Sequence, residues 1–239
     1  MRWTPCRERP AAPARPHLNV VAALLVGVTL VAPSPARATS DEELARNARL
    51  LASTRNDDAA GVVRALHEGA AVDSRNRLGE TGLLIALKKD RADIAQAFLA
   101  AGADVNLAAI NGVTPLMAAA YSGDVAMARM LIDRGADVSA VDRLGKNAIT
   151  YAAGEGKTDV VRLLLAHGVD PNAVYRNELT ALMWAAGYGQ TETARALIDA
   201  GARVDPVDNR GKNALDMARE FKHAETVQLL EQALRAPRH

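Results

Sequence analysis

Four histidines, His67, His167, His223 and His239, lie beyond the first 38 residues of this 239-residue chain. None belongs to an H-E-x-x-H pair or a His-Cys cluster, so the spacing that would hold a zinc ion on one helix face is missing. The only cysteine is Cys6, near the start, and the chain beyond it has no thiol to act as nucleophile, disulfide partner or thiolate ligand. No G-x-S-x-G elbow, phosphate-binding loop or dinucleotide fingerprint occurs. Gly154-Glu155-Gly156-Lys157 looks like the end of a phosphate loop, and Asp104, Asp137 and Asp170, with Asp205 off their step, suggest a carboxylate ladder for calcium. Only Glu80, Lys88, Lys89 and Glu155 offer a sketch of convergent acid–base groups. Taken together these residues exclude the common hydrolytic and metal-dependent constellations: no catalytic residue, metal or cofactor is expected.

The elements that would have to position any site repeat. From Gly112 the chain reads through Thr114-Pro115-Leu116, an Ala-rich run to Ala120, Gly123-Asp124, a second apolar run to Ile132, and Gly135-Ala136-Asp137-Val138. Thr114 is an N-cap, and Pro115 at the first helical position gives up a donor that would have no partner there anyway. Gly123 ends the first helix. Met127, Ala128, Met130, Leu131 and Ile132 make the apolar face of the second, and Gly135 supplies the left-handed residue that stops it. Two helices this short are marginal in water, so the hairpin must stack on copies of itself.

Those copies recur at one spacing. Gly69, Gly102, Gly135, Gly168 and Gly201 are each 33 residues apart, as are the cap positions Thr81, Thr114, Asn147, Thr180 and Asn213. Thr114-Pro115-Leu116-Met117-Ala118-Ala119 and Gly102-Ala103-Asp104-Val105-Asn106 resemble the ankyrin repeat, with Met117 where the family usually has His. The resemblance implies an all-α solenoid of about six 33-residue helix-turn-helix units over 39–236, near 43–75, 76–108, 109–141, 142–174, 175–207 and 208–236, with degenerate terminal caps. It makes Asp104, Asp137 and Asp170 turn residues, and the repeat phase places Gly154 to Lys157 in an inter-helix turn. In the first unit Leu44, Ala48, Leu51 and Ala52 are expected to face inward, with Ala48 at the cap position. The last unit loses its terminal glycine, and Ala236 to His239 form a frayed tail.

Residues 1–38 stand apart. Arg2, Arg7, Arg9 and Arg15 precede an apolar run from Val20 to Ala32, and Ala36-Arg37-Ala38 fits a cleavage site, the pattern of a secretory signal peptide. The run is shorter than the ~18 residues a spanning helix needs, so no stable membrane insertion is expected after cleavage; an uncleaved leader acting as an anchor is the alternative. Removing five Arg and one Glu with the leader takes 29 basic and 28 acidic residues to 24 and 27, a net charge of −3. A mildly acidic chain argues against non-specific nucleic-acid binding.

What remains is a binding module, and in ankyrin proteins partners usually meet the inter-repeat turn tips and the exposed side of the first helices. Carried onto this sequence, that strip contains Arg77, Lys88, Ile110, Tyr121, Arg143, Lys146, Glu155, Arg176, Tyr188 and Arg210. Arg and Tyr are frequent interface anchors, and the strip suits an acidic or mixed protein surface. Tyr151 and Trp184 share another phase and are expected to pack between repeats. The expected protein is monomeric, periplasmic or secreted, and binds a protein partner; by resemblance, it protects or assists a partner enzyme, including in oxidative-stress defence. An immunity-type inhibitor of a periplasmic toxin and a membrane-tethered scaffold are the alternatives.

Overall fold

Residues 40–235 are described by a computed structural model; the leader at 1–38 with its Cys6, and the tail from Ala236, lie outside the described residues. The described span forms hairpins α1 (Ser40–Arg55) and α2 (Ala59–His67), α3 (Gly82–Lys88) and α4 (Ala92–Ala100), α5 (Pro115–Ser122) and α6 (Val125–Asp133). They continue as α7 (Ala148–Gly154) and α8 (Thr158–Ala166), α9 (Ala181–Gly187) and α10 (Thr191–Asp199), α11 (Ala214–Glu220) and α12 (Ala224–Arg235). The first helices pack in sequence from α1 through α3, α5, α7 and α9 to α11, while α6, α8, α10 and α12 stack behind them. The result is the all-helical solenoid expected.

Each first helix starts where a side chain can occupy an orphaned N–H. Thr81, Thr114 and Thr180 hydroxyls accept the amide three residues on at 3.2, 3.3 and 3.3 Å, and the Asn147 and Asn213 carbonyls do so at 3.1 and 2.9 Å. Thr150 and Asp216 reach back to the cap amide and close a capping box; Met117 does the same with its sulfur, 3.5 Å from the Thr114 nitrogen. This explains how Met is accommodated where His was expected. At the other end of each unit, Gly69, Gly102, Gly135, Gly168 and Gly201 have φ between 83° and 93°, the left-handed conformation that glycine adopts without steric cost.

The core follows the same step. Ala86, Ala119, Ala152, Ala185 and Ala218 occupy one position of five successive first helices, and each is 0 % exposed. A methyl group at that step lets the helices approach closely and interlock with the row Leu131, Leu164, Leu197 and Leu230 of the second helices. Phe98 stands in that row in the second unit. Its ring occupies the space left by Gly82, where later units have Pro115, Ala148, Ala181 and Ala214.

The first unit departs from expectation. Ala48 is no cap: it lies inside α1, a continuous 16-residue helix, and Ala48 and Leu44 are exposed while Leu50 and Leu51 are buried. Among the described residues no unit precedes α1, and these early apolar residues stand uncovered. Asp41, Glu42 and Glu43 instead extend the helix by placing negative charge in its first turn.

Candidate partner-binding site

Five finger-like turns join the hairpins, and each is closed by a backbone bond spanning four residues. Asn76 donates to Glu80, Ala109 to Val113, Asp142 to Lys146, Tyr175 to Leu179 and Asp208 to Lys212, at 2.8–3.0 Å. Neighbouring fingers are stitched edge to edge, Ile110 N–H to Leu78 O at 2.9 Å, Arg143 N–H to Asn111 O at 2.9 Å and Asn209 N–H to Asn177 O at 3.1 Å. Between the third and fourth fingers a side chain takes over: Arg176 Nη1 donates to Arg143 O at 3.1 Å.

Buried acids brace alternate fingers from within. Asp142 Oδ1 accepts the amides of Leu144 and Lys146, both at 2.8 Å, and its Oδ2 accepts the Tyr151 hydroxyl at 2.7 Å. Asp208 accepts from Arg210 and Lys212 in the same way and adds the Arg210 guanidinium at 2.8 Å. Burial pushes the Asp208 carboxyl up, but the Lys212 amide and the Arg210 donors outweigh it, so the group sits below its ordinary range. Burial, followed by the Asp142 carboxylate, pushes the Tyr151 phenol upward. Glu80 is also buried, at 9 % exposed. Burial raises it, and hydrogen bonds from Lys88 at 2.6 Å and Asn76 at 2.8 Å more than reverse the effect.

Between the fingers and the first helices runs a groove. Tyr121 and Tyr151 meet edge to face at 6.3 Å between centroids, and Trp184 and Tyr188 stack at 6.0 Å, with Phe221 beyond. The Lys146 ammonium sits 4.0 Å from the Trp184 centroid and 5.4 Å from that of Tyr151. Tyr175 lines the same channel from its finger, so six of the aromatic residues beyond the leader face the groove and only Phe98 is in the core. Tyr151 and Trp184 pack on the core as expected, yet each leaves part of its ring in the groove.

The ten residues singled out from sequence divide by location. Arg77, Ile110, Arg143, Arg176 and Arg210 are exposed on the fingers, Lys146 is half-buried at a finger base, and Lys88, Tyr121, Glu155 and Tyr188 lie at or just beyond the ends of first helices. Lys88 pairs with Glu80 and Arg210 with Asp208, whereas Arg77, Arg143, Lys146 and Arg176 have no ion pair among the described residues. Both ends of the groove carry a finger-to-helix ion pair, Glu80–Lys88 and, with the charges exchanged, Lys212–Glu220 at 2.7 Å. The equivalent places between them are Val113 with Tyr121, Lys146 with Gly154 and Leu179 with Gly187, so the middle places hold no such ion pair and Lys146 is their one charged residue.

The acid–base sketch does not assemble. Glu80 is committed to Lys88 and Asn76, Lys89 pairs with Asp57 at 2.8 Å, and Glu155 is an exposed helix-end residue. Gly154 to Lys157 form the inter-helix turn, with Gly156 at φ 69°. Asp104, Asp137 and Asp170 accept the amide two residues on, at 2.8–2.9 Å, as turn residues. Among the described residues no cluster of His, Cys, Asp and Glu could hold a metal, and no helix is long and apolar enough to cross a membrane.

Several positioning residues went unnoticed in the sequence. Asn106 and Asn172 each donate to a glycine carbonyl of the next unit at 2.9 Å and accept an amide from it at 2.8 Å, and Asp205 belongs to their step. Gln190 and His223 tie down the carbonyls of Gly154 and Gly187 at 3.1 and 3.0 Å, which gives His223 a structural role. The common offset of 33 to these pairs was the available signal.

A family model of ankyrin repeats in three copies matches residues 49–142, 101–175 and 149–235, nearly the whole described span. A search of curated proteins found no match. Ankyrin repeats form protein–protein interaction modules, in keeping with a groove of rings and cations. On its stacked hairpins, its glycine and cap steps and this match, the chain belongs to the ankyrin-repeat family.

Proposed function

We propose that the mature chain is a non-catalytic binding protein of the periplasm that takes a partner protein in this groove and thereby protects or assists a partner enzyme. One observation carries the binding face: six of the seven aromatic side chains beyond the leader lie in a single groove, beside Arg143 and Arg176, which have no ion pair among the described residues. Rings and guanidinium groups offer broad contact at low entropic cost, and a buried ring in the core would serve stability better than an exposed one. Export and the enzyme-assisting role rest on the leader pattern and on the family resemblance respectively. Affinity capture from a periplasmic extract tests the proposal, using mature protein beside a variant with Arg143, Arg176 and Tyr188 changed to Ala and shown to have equal helicity. A protein retained by the first and lost by the second supports groove binding, and its identity as an enzyme or a toxin decides the role. The same proteins held by both variants would contradict it.

A further inference from the structure

Gly154 and Gly187 hold the same place at the ends of α7 and α9, one unit apart, but their surroundings differ. A methyl group on Gly154 would touch the rings of Tyr188 and Trp184 at 3.8 and 3.9 Å, because the next unit's aromatics lie over it. Above Gly187 there is nothing within 4 Å. The next unit offers Met217 and Phe221 there, and the space between them and Trp184 stays open as a cavity of about 480 Å³. Leu179 and Met183 complete its apolar wall, and Arg210 stands at its rim. A second hollow, bounded by Lys146, Tyr175 and Arg176, adjoins it and shares Leu179 and Trp184. Lys146 and Arg176 have no ion pair among the described residues, so the apolar cavity opens beside two uncompensated cations.

We infer that this cavity is the anchor pocket for an extended acidic segment of the partner protein, taking one large apolar side chain over Gly187 and setting neighbouring Asp or Glu carboxylates against Lys146 and Arg176. The inference rests on the groove being the binding face and specifies which partner chemistry it reads. Methionine walls adapt to differing apolar shapes, and Trp184 and Tyr188 supply flat faces that exclude water around the anchor. The cations set the direction and charge preference of the bound segment. Lys146 lies over Trp184 in the free protein, so an incoming carboxylate meets it at the junction of the two hollows.

Trp184 reports binding directly, since the only other tryptophan, Trp3, is in the leader. Mature protein would be titrated with three short peptides free of Trp and Tyr: one with a Phe flanked by Glu residues, the same with Lys for Glu, and the first with Phe replaced by Ala. The Glu–Phe–Glu peptide is expected to give a saturable Trp184 emission change, with the other two at least ~10-fold weaker. Gly187→Leu should abolish that change while leaving helicity and thermal unfolding intact, since the added side chain enters open space and leucine favours helix. Arg176→Ala should weaken the acidic peptide about 10-fold and leave the Lys peptide unmoved. Equal affinity for acidic and basic peptides, or undiminished binding by a folded Gly187→Leu variant, would overturn the inference. So would a peptide-independent Trp184 change that follows protein concentration with dimers in sedimentation velocity, which would assign the groove to a second copy. If the captured partner binds Gly187→Leu normally yet is lost on the Arg143, Arg176, Tyr188 variant, the pocket assignment fails and the groove assignment stands.

Discussion

The Lys146 ammonium lies 4.0 Å from the centre of the Trp184 ring, although the two residues belong to different units. A finger of one hairpin thereby reaches the first helix of the next, and the contact joins the polar edge of the groove to its aromatic floor. Lys146→Met should redistribute Trp184 emission and lower stability by about 0.5–1 kcal/mol, the range for a cation over an aromatic face at a partly exposed site. Urea unfolding followed by Trp184 fluorescence gives both quantities. An unchanged emission spectrum would show that the ammonium does not rest on the ring in solution.

Asp142 is the brace beneath that finger. Its carboxylate holds two backbone amides and the Tyr151 hydroxyl, so Asp142→Ala leaves three donors without their partner. A loss of about 2–3 kcal/mol is expected in chemical denaturation, as for removal of a buried multiply bonded acceptor. Tyr151→Phe removes only one of the three bonds and should cost less than half as much.

Asp208 predicts an acid-sensitive joint. Its folded carboxyl releases the proton at lower pH than the unfolded chain, where the ordinary value is about 3.9. Its contribution is therefore complete above the unfolded value and is lost as pH falls through the folded one. Asp208→Asn should be less stable than the parent at neutral pH, and the two should converge below the carboxylate range. Urea midpoints measured down to about pH 2 test this. A gap that persists undiminished in acid would assign the effect to shape and not to charge.

Two glycines with the same positive φ separate strain from crowding. Gly112 and Gly135 both have φ 86°, but an added methyl group meets nothing within 4 Å at Gly135 and the Asp142 Cα at 2.8 Å at Gly112. Gly135→Ala should cost about 1–2 kcal/mol from the left-handed conformation alone. Gly112→Ala should cost about 1–3 kcal/mol more, because the finger stack must part to admit it. Thermal and urea unfolding of both variants would measure the difference, and equal losses would show that the fingers yield freely.

The helices and their ends were legible because each depends on residues close in sequence. Thr81, Thr114 and Thr180 cap the amide three residues on, Gly135 turns its own helix end, and the interval of 33 multiplies those local signals into an architecture. The fingers and their arginines were placed by the same phase. What was not legible depends on the next unit. Asn106 bonding to Gly135 and Asp137, Thr158 paired with Thr193 at 2.7 Å, and Lys146 over Trp184 all join residues about a repeat apart, and only the stacking geometry brings them into contact. The exposed start of α1 has the opposite cause. Leu44 and Ala48 match the apolar period, but among the described residues no preceding unit lies against them.

Binding through the groove is tested most directly by site-specific photo-crosslinking in a periplasmic extract. A photoreactive phenylalanine analogue would replace Tyr121, Tyr188 or Arg176 in the groove and, as controls, exposed Arg129 or Arg195 on second helices α6 and α10. Groove binding predicts one common crosslinked protein from the first three positions and none from the controls. Crosslinks to that protein from Arg129 or Arg195 with none from Tyr121, Tyr188 or Arg176 would contradict it.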